Sequence, residues 1–334
     1  MEVKMDNIFK ALLITEENGV FTREVVERQI SDLPQGDVLI KVKYSSLNYK
    51  DALSANGNKG VTKKYPHTPG IDAAGIVEES LDTRFKKGDS VIVTGFDLGM
   101  NTSGGFGQYI RVPADWVVKL PEKLSLRSSM IYGTAGFTAA LSVLKLLSSG
   151  LKPEDGEVLV TGATGGVGST AVSMLSKIGF SVTAATGKTG NEAMMTALGA
   201  KNIINRNDID DSSNRPLLKG RWAGAVDTVG GNILATVLKT VDYGGAVTCC
   251  GNVASMELNT TVFPFILRGI TLFGIDSVQC PMDLRVKTWN KIAEEWISED
   301  MNDYVTEISL AELGEKIDEI TAGKAVGRTI VNLS

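Results

Sequence analysis

Residues 157–168 read Glu-Val-Leu-Val-Thr-Gly-Ala-Thr-Gly-Gly-Val-Gly, a short apolar strand that runs directly into a glycine-rich loop. Gly162, Gly165 and Gly168 are spaced three apart, a pattern that lets a backbone turn tightly and approach a pyrophosphate closely. The next segment, 169–179, has helical apolar spacing, and a second apolar strand follows it. An ordinary glycine-rich turn is the simpler interpretation, but a strand before the loop and a helix and strand after it are the context that dinucleotide binding requires. The stretch therefore predicts a dinucleotide site.

Length and composition describe an ordinary globular protein. The 334 residues are too many for one small core and suggest about two domains. Hydrophobic residues make up 43% of the chain and charged residues 22%. The net charge of -5 gives no reason to expect nucleic acid or an anionic membrane as partner, so we expect a small-molecule substrate. Residues 1–10 carry charges of both signs without an apolar run, which argues against a signal peptide and predicts a cytoplasmic location.

Cysteine and histidine are too scarce for the common metal sites. Cys249 and Cys250 are adjacent in an apolar strand and Cys280 stands alone, so we expect three inert thiols and no disulfide framework or metal knuckle. The only histidine, His67, excludes any site that needs two imidazoles. A loop histidine usually serves local structure, and contact with a substrate is the alternative.

The predicted secondary structure changes near residue 120. Before it, short β-type runs separated by Gly, Pro and Asn predict a compact, barrel-like β domain: these are 11–15, 37–45, 73–78, 90–94 and 106–112. After it, a helical stretch precedes strands and helices that alternate from 157 to 275, which is typical of a parallel, doubly wound sheet. An amphipathic helix at 282–298 and a strand at 328–333 could return to the β domain. We predict an α/β protein in two domains, with limits at 1–124 completed by 282–334, and at 125–281.

The second strand of the predicted dinucleotide domain ends without the acid that is typical of NAD sites. That acid lies about 20 residues beyond the glycine loop and binds the ribose hydroxyls; here the strand ends in Thr186-Gly187-Lys188. The third strand ends at Arg206, and its carboxyl end lies beside that of the second strand in this topology. Solvated surface charge is the simpler interpretation of either cation alone. The pair at neighbouring strand ends favours a 2′-phosphate, and therefore NADPH.

Five further stretches carry a family signature: Ser45–Asp51, Pro69–Gly75, Gly133–Ala139, Trp222–Gly230 and Pro264–Arg268. They resemble the medium-chain dehydrogenase/reductase superfamily, and within it the YhdH/YhfP group of quinone oxidoreductases, which includes NADPH-dependent acryloyl-CoA reductases. The resemblance extends over nearly the whole chain. It implies a GroES-like β-barrel domain, a Rossmann domain, and a homodimer formed through the edge strand near 271–275.

The resemblance also implies site residues. Zinc-dependent relatives hold their metal with cysteine and histidine, which 48–51 and 70–72 lack, so it implies an enzyme without a metal. Lys188 stands where some relatives have arginine, which retains the charge but loses the bidentate fork. The positions at which relatives contact NADPH are Tyr49, Thr164, Gly165, Gly166, Val167, Thr186, Gly187, Lys188, Arg206, Asn252, Ile266, Ser277 and Arg328.

Reduction of an activated C=C bond or a quinone needs hydrogen-bond donors that stabilise the negative charge on the carbonyl oxygen. The candidate catalytic donors are the Asn48 amide, the Tyr49 hydroxyl and Arg328. The final proton comes from Tyr49 or from water, and the sequence does not choose between them. Helix capping is the alternative role for Asn48, and it is the preferred interpretation of Asp51.

Three functions stay open on these observations. The first is hydride transfer from NADPH to a short 2-enoyl-CoA such as acryloyl-CoA, and the second is reduction of quinones. The third is an NADPH-binding protein without useful turnover. A coenzyme A substrate requires cations for its phosphates, and solvated surface charge is the simpler interpretation of the candidates, which are Lys59, Lys63, Lys64 and Arg268.

Overall fold

The computed structural model describes residues 8–334. Within it the chain forms two compact units. The first unit comprises the chain up to Thr134 together with Val278–Ala293 and Val305–Ser334. The second comprises Ala135–Ser277 and Glu294–Tyr304. The sequence-based domain limits, at 124/125 and 281/282, stay a prediction about where independently folding domains begin and end.

Strands dominate the first part of the chain. Strands β1 (Ile8–Glu17) and β2 (Val20–Gln29) form an antiparallel hairpin. The remaining elements of this part, in chain order, are β3 (Val38–Ser46), α1 (Tyr49–Ala55), β4 (Asp72–Ser80), β5 (Ser90–Thr94), β6 (Tyr109–Val112) and β7 (Val117–Lys119). The sequence interpretation missed β2 and β7. Strand β2 is fully or partly exposed along its length, so it lacks the apolar alternation that marks a half-buried strand.

Helices and parallel strands alternate in the middle of the chain. In chain order they are α2 (Leu126–Ser148), β8 (Glu157–Thr161), α3 (Gly166–Lys177), β9 (Ser181–Thr186), α4 (Glu192–Ala197), β10 (Ala200–Asn205), β11 (Trp222–Asp227), α5 (Gly231–Thr240), β12 (Val241–Cys249), α6 (Phe263–Arg268) and β13 (Thr271–Gly274). The six strands form one parallel sheet in the order β10-β9-β8-β11-β12-β13. This is the strand order of the doubly wound dinucleotide fold. The predicted fold class, a β domain with a doubly wound parallel sheet, is confirmed.

The last part of the chain returns to the first sheet. It contains α7 (Met282–Lys291), β14 (Val305–Ile308), α8 (Leu313–Thr321) and β15 (Arg328–Asn332). Strand β15 pairs antiparallel with β3 and parallel with β14, so this sheet has the order β14-β15-β3-β4-β5-β7, with β6 also paired to β3. The single helix predicted at 282–298 is wrong in detail, because α7 is followed by a π-helical turn at Ile292–Trp296.

Helix α2 is long and apolar enough to cross a membrane, and among the helices of residues 8–334 it alone passes this test. Within its most apolar stretch of 18 residues, 78% of the residues are buried inside the structure. The core helix of a globular protein has the same properties. The helix is also interrupted, because Gly133 has φ 49 and ψ -153, far from helical values.

Candidate functional site

The glycine loop joins β8 to α3 in the second unit. Gly162 has a φ of +59, which favours glycine, and Gly165 is the N-cap of α3 with no side chain capping the helix. The first N–H groups of a helix have no partner within that helix, so the backbone of Gly166 and Val167 offers donors to an anion. A Cβ on Gly168 would lie 2.3 Å from the carbonyl oxygen of Gly162, so the helix packs directly on the loop. The loop therefore has the geometry that a pyrophosphate requires.

The ends of β9 and β10 lie side by side, since Thr186 pairs with Asn205. The hydroxyls of Thr164 and Thr186 are 3.0 Å apart, and the backbone N–H of Lys188 donates to Thr186 Oγ1 at 3.1 Å. These contacts join the glycine loop to the end of β9. The loop, the end of β9 and the end of β10 thus form one continuous surface.

The Arg206 side chain packs against Gly187. A Cβ on Gly187 would lie 2.7 Å from both Cδ and Nε of Arg206, so any side chain at residue 187 would displace the guanidinium group. Arg206 is exposed, and Lys188 is partly buried, which lowers the pKa of its ammonium group. The two cations therefore flank Gly187 at adjacent strand ends, as a 2′-phosphate would require.

The remaining predicted cofactor contacts of the second unit lie on separate segments. Asn252 is exposed after β12, Ile266 is 67% exposed on α6, and Ser277 is partly buried after β13. Their contact with a cofactor stays a prediction. Strand β13 is at the edge of the parallel sheet, so the predicted dimer strand lies where edge-to-edge pairing is geometrically open.

In the first unit, Asn48 and Asp51 begin helix α1. The backbone N–H of Asn48 donates to Asp51 Oδ2 at 2.8 Å, and Oδ1 of Asp51 accepts from the N–H groups of Gly70 at 3.1 Å and Ile71 at 2.8 Å. Capping by Asp51 is confirmed. Burial, and next the nearby charge of Asp72, raise the pKa of Asp51 to about 7.

Asp72 is the hub of a buried polar network. Its Oδ2 accepts from Ser46 Oγ at 2.5 Å, from Asn48 Nδ2 at 2.8 Å and from the backbone N–H of Thr134 at 2.9 Å. Its Oδ1 accepts from the Thr134 hydroxyl at 2.5 Å. Asn48 Nδ2 also donates to the Ser46 carbonyl oxygen at 3.3 Å, so both of its amide protons are engaged. The amide is held inside the protein by these bonds, and the role of Asn48 as a donor to substrate stays a prediction.

Arg328 supports the same network from strand β15. Its side chain is 3% exposed; Nε donates to the Ile131 carbonyl oxygen at 2.8 Å and Nη2 to Ser46 Oγ at 3.0 Å. Nη1 approaches Asn48 Oδ1 at 3.5 Å, which is a weak contact. Burial lowers the pKa of Arg328, and the charges of Asp72 and Asp51 oppose that shift. This guanidinium is buried and these three donors point to protein oxygens, so its contact with substrate or coenzyme stays a prediction.

The absence of a side chain at Gly133 leaves room for the hydrogen-bond network around Asp72. A Cβ on Gly133 would lie 2.4 Å from Ser46 Oγ, 2.6 Å from Asp72 Oδ2 and 3.0 Å from Arg328 Nη2. Its φ of +49 also belongs to the left-handed region. The interruption of helix α2 therefore releases the N–H of Thr134 to Asp72 and leaves room for the carboxylate.

We expect Gly133→Ala to lower the free energy of unfolding by at least about 2 kcal/mol, because backbone strain and displacement of the network act together. Gly150→Ala is the matched control, since Gly150 also has a positive φ, +91, but a Cβ on it would have no atom within 4 Å. Urea unfolding of both variants checks this. Equal losses in the two variants would mean that strain alone, and not the network, requires glycine at residue 133.

Tyr49 differs from its buried neighbours. It is the first residue of α1, its side chain is 44% exposed, and its hydroxyl makes no hydrogen bond to any residue between 8 and 334. Asn48, directly before it, is fixed by Asp51, Asp72 and the Ser46 carbonyl. Tyr49 is therefore a phenol on a fixed backbone, and of the three predicted catalytic residues it is the one with an exposed side chain.

The histidine and cysteines serve local structure. His67 is 6% exposed, its Nε2 lies 2.9 Å from the Gly99 carbonyl oxygen, and burial lowers its pKa. Cys249 and Cys250 are partly exposed, whereas Cys280 is buried. Burial raises the pKa of Cys250 to about 12, so its thiol is unreactive at neutral pH. These observations agree with the interpretation of His67 as a structural residue and of Cys250 as inert.

Two of the four cations nominated for coenzyme A are engaged elsewhere. Lys59 pairs with Glu16 at 2.5 Å, with its ammonium group over the Tyr65 ring. Arg268 donates to the carbonyl oxygens of Lys239, Val241 and Leu218, and these hydrogen bonds hold the backbone segments together. The nomination of Arg268 is therefore corrected. Lys63 and Lys64 are exposed and stay candidates.

Comparison with known proteins places these features in a family context. Residues 34–122 match the alcohol dehydrogenase GroES-like domain, and residues 166–299 match the family described as zinc-binding dehydrogenase. YhfP of Bacillus subtilis, named as a candidate quinone oxidoreductase, is 46% identical over 98% of this chain and 100% of its own length. The acrylyl-CoA reductase AcuI of Ruegeria pomeroyi is 43% identical over 98% of this chain and 100% of its own length.

Two solved structures are similar over almost the whole chain. The yhdH oxidoreductase of Salmonella enterica, in complex with NADP, has a TM-score of 0.95 at 44% identity and covers 97% of this chain and 100% of its own. The yhfP protein of Bacillus subtilis, with NAD bound, has a TM-score of 0.95 at 46% identity and covers 98% of this chain and 99% of its own. The similarity therefore extends through both units.

Proposed function

The chain belongs to the medium-chain dehydrogenase/reductase superfamily, in the group of YhdH, YhfP and AcuI, and on this basis we propose that it is an NADPH-dependent reductase that works without zinc. The proposed reaction transfers a hydride to the activated C=C bond of a short 2-enoyl-CoA such as acryloyl-CoA. The observation that carries the cofactor assignment is the packing of Arg206 on Gly187 beside Lys188. The substrate class is supported by 43% identity to an acrylyl-CoA reductase over 98% of this chain and 100% of that protein.

The choice of NADPH over NADH rests on charge. The related structures hold NADP in one case and NAD in the other, so similarity alone does not decide. A 2′-phosphate at the end of β9 would meet one guanidinium and one ammonium group, whereas a free ribose would meet no carboxylate at residues 186–188. The local chemistry therefore favours the phosphorylated coenzyme.

We expect the double variant Lys188→Ala with Arg206→Ala to weaken NADPH binding by about a hundredfold and to change NADH binding by less than about threefold, because only the 2′-phosphate loses charge-assisted hydrogen bonds. Lys201→Ala, an exposed lysine on β10, is the control and should change neither affinity. Fluorescence titration with both coenzymes gives the ratio of the NADPH affinity to the NADH affinity. An unchanged ratio in the double variant would place the phosphate elsewhere.

The residues of the first unit do not fit the zinc ion that the family description names. No group of three or more His, Cys, Asp or Glu side chains suited to a metal occurs among residues 8–334. The buried carboxylates Asp51 and Asp72 already accept hydrogen bonds on all four oxygens. The buried cation Arg328 lies beside them and would repel a divalent ion. The proposed reaction therefore uses no metal.

NADPH supplies the hydride when it is bound. The chain's own residues then have three tasks: the N-terminus of α3 and the glycine loop bind the pyrophosphate, Lys188 and Arg206 bind the 2′-phosphate, and Tyr49 faces the substrate. Hydride addition to the β carbon of an enoyl thioester leaves negative charge on the carbonyl oxygen and needs a proton at the α carbon. Of the three proposed catalytic residues, Tyr49 is the exposed one, so we assign its hydroxyl the hydrogen bond to that oxygen during hydride transfer. The same hydroxyl then gives its proton to the α carbon, and solvent water reprotonates the tyrosinate. Asn48 and Arg328 act by holding Tyr49 in place.

Quinone reduction is the second candidate, and the name of the Bacillus subtilis relative favours it. The two activities are separated by specificity constants for NADPH oxidation with acryloyl-CoA, crotonyl-CoA, a benzoquinone and a naphthoquinone. We expect acryloyl-CoA to exceed both quinones. A preference for quinones would replace the thioester assignment, and no oxidation with any of the four would leave an NADPH-binding protein without useful turnover.

Two wider properties belong to the same proposal. We propose that the protein is a cytoplasmic homodimer that pairs through the edge strand β13, with a small molecule as substrate and neither nucleic acid nor membrane as partner. The position of β13 at the edge of the sheet supports the dimer. Analytical ultracentrifugation of the full chain tests it.

A further inference from the structure

A buried polar cluster joins the ends of β8 and β11 directly below the glycine loop. The cluster consists of Thr161, Asp227 and Thr228, of which Thr161 is 1% and Asp227 0% exposed. Strands β8 and β11 are neighbours in the sheet, and the chain winds away from β8 through β9 and β10 before it returns to β11. Such a reversal opens a crevice at the carboxyl ends of the two strands, and dinucleotides bind there in doubly wound folds. The cluster therefore forms the floor of the proposed pyrophosphate site.

The hydroxyl of Thr161 connects both strands. It donates to Asp227 Oδ1 at 2.7 Å and accepts from the backbone N–H of Thr228 at 3.0 Å. The Thr228 hydroxyl in turn donates to the Thr161 carbonyl oxygen at 2.9 Å. Three hydrogen bonds thus fix the last residue of β8 against the last residue of β11 and the residue that follows it.

The Asp227 carboxylate holds the loop that follows β11. Its Oδ2 accepts from the N–H of Gly230 at 2.8 Å and, less closely, from that of Val229 at 3.3 Å. Burial raises the pKa of Asp227, and these donors with the Thr161 hydroxyl oppose the shift. Both oxygens of the Asp227 carboxylate therefore accept hydrogen bonds from residues at the ends of β8 and β11. Neither oxygen faces the proposed pyrophosphate site.

Thr228 contacts the glycine loop by close steric packing against Gly162. A Cβ on Gly162 would lie 2.3 Å from Thr228 Oγ1, so the position of that hydroxyl sets how close the backbone of the first loop glycine approaches β11. Movement of Thr228 would shift Gly162, and with it the N–H groups that follow in the loop.

We propose that Thr161 and Asp227 are positioning residues for the pyrophosphate of the dinucleotide: without touching it, they fix Thr228 and thereby the glycine loop. The proposal rests on the proposed NADPH function. It differs from a general contribution to stability because it predicts an effect on the pyrophosphate and none on the adenosine end of the coenzyme.

The first test compares isosteric variants. We expect Thr161→Val, which removes the hydroxyl and keeps the volume, to weaken NADPH binding about tenfold or more while kcat at saturating NADPH stays within about twofold. Thr161→Ser keeps the hydroxyl and should restore binding to within about threefold of the unsubstituted protein. Thr183→Val is the matched control: the Thr183 hydroxyl is equally buried in the same sheet and donates to Glu157 Oε2 at 2.7 Å, at the opposite end of β8. Thr183→Val should lower the free energy of unfolding without weakening NADPH binding.

The second test uses adenosine 2′-monophosphate, which has the phosphate of the adenosine end and no pyrophosphate. Competition titration should give the same affinity for this probe in Thr161→Val as in the unsubstituted protein, and a weaker affinity in Arg206→Ala. If Thr161→Val does not fold, as judged by circular dichroism, Asp227→Asn is titrated in its place with the same expectations.

The outcomes separate the inference from the function on which it rests. Failure of the unsubstituted protein to bind NADPH would refute the proposed function. If that protein binds NADPH and Thr161→Val binds it equally well, the positioning role is wrong. Equal weakening of NADPH and of adenosine 2′-monophosphate in Thr161→Val would also overturn it, because the damage would then not be confined to the pyrophosphate.

Discussion

Asp72→Ala is expected to reduce turnover below detection and to lower the free energy of unfolding by at least about 3 kcal/mol, because it leaves a buried cation and several buried donors without their acceptor. Four hydrogen bonds end on this carboxylate, from Ser46, Asn48 and Thr134. Their loss would release the Asn48 side chain, and with it the start of α1 from which Tyr49 projects. Urea unfolding and NADPH oxidation with acryloyl-CoA measure the two effects.

One further variant separates charge from volume at residue 72, and a surface variant serves as the control. Asp72→Asn keeps the volume but replaces one acceptor oxygen with a donor group, so we expect an intermediate loss of stability and a large loss of kcat. Asp115→Ala is the control in the same unit: its side chain is 82% exposed and pairs with Arg84 at the surface, so less than about 1 kcal/mol should be lost. A stable Asp72→Ala variant with normal kcat would show that the reaction does not depend on the hydrogen-bond network around Asp72.

Tyr49→Phe is expected to lower kcat by about a hundredfold or more with acryloyl-CoA, because it removes the proposed donor of the stabilising hydrogen bond and of the proton. The phenyl ring keeps the volume, and the backbone of residue 49 stays fixed by Asn48 and Asp51. NADPH affinity should therefore change by less than about threefold, so the loss appears in kcat and not in coenzyme binding.

The control for Tyr49→Phe is Tyr243→Phe, an 84% exposed tyrosine in the second unit, which should leave kcat unchanged. Retention of full kcat by Tyr49→Phe would assign the final proton to water and remove Tyr49 from the chemistry.

Local patterns were enough to predict the nucleotide fold. The glycine spacing, the apolar strand before it and the alternation after it are encoded within short windows, and the structure has β8, α3 and β9 in that order around the loop. The neighbourhood of Lys188 and Arg206 followed from the topology of parallel sheets. What the sequence could not supply was the packing of Arg206 on Gly187, because it depends on a side-chain conformation.

The polar network of the first unit was missed for a physical reason. Asp72 contacts Ser46, Asn48 and Thr134, which lie 26, 24 and 62 residues away in the chain, and such contacts leave no periodic pattern. One signal was present: an acidic residue stands inside the apolar run from Ile71 to Ala74, where a charge is costly unless it is paired. The same signal marks Asp227, which ends an apolar strand and is fully buried.

The sequence does not show which donors of Asn48, Tyr49 and Arg328 are engaged. In the structure, N–H groups of Asn48 and Arg328 point to Asp72, Ser46 and Ile131. Donor availability is decided by tertiary contacts. The catalytic roles of the three residues stay predictions, and the exposure of the Tyr49 side chain supports that of Tyr49.

The most direct measurement follows the hydride itself. The full-length protein, treated with a chelator, is incubated with acryloyl-CoA and NADPH deuterated at C4 on the transferred face, and the product is analysed by mass spectrometry. We expect propionyl-CoA with one deuterium at the β carbon, formed at the same rate before and after chelation. Propionyl-CoA without deuterium, or product that forms only after zinc is restored, would contradict direct hydride transfer by a reductase that works without a metal.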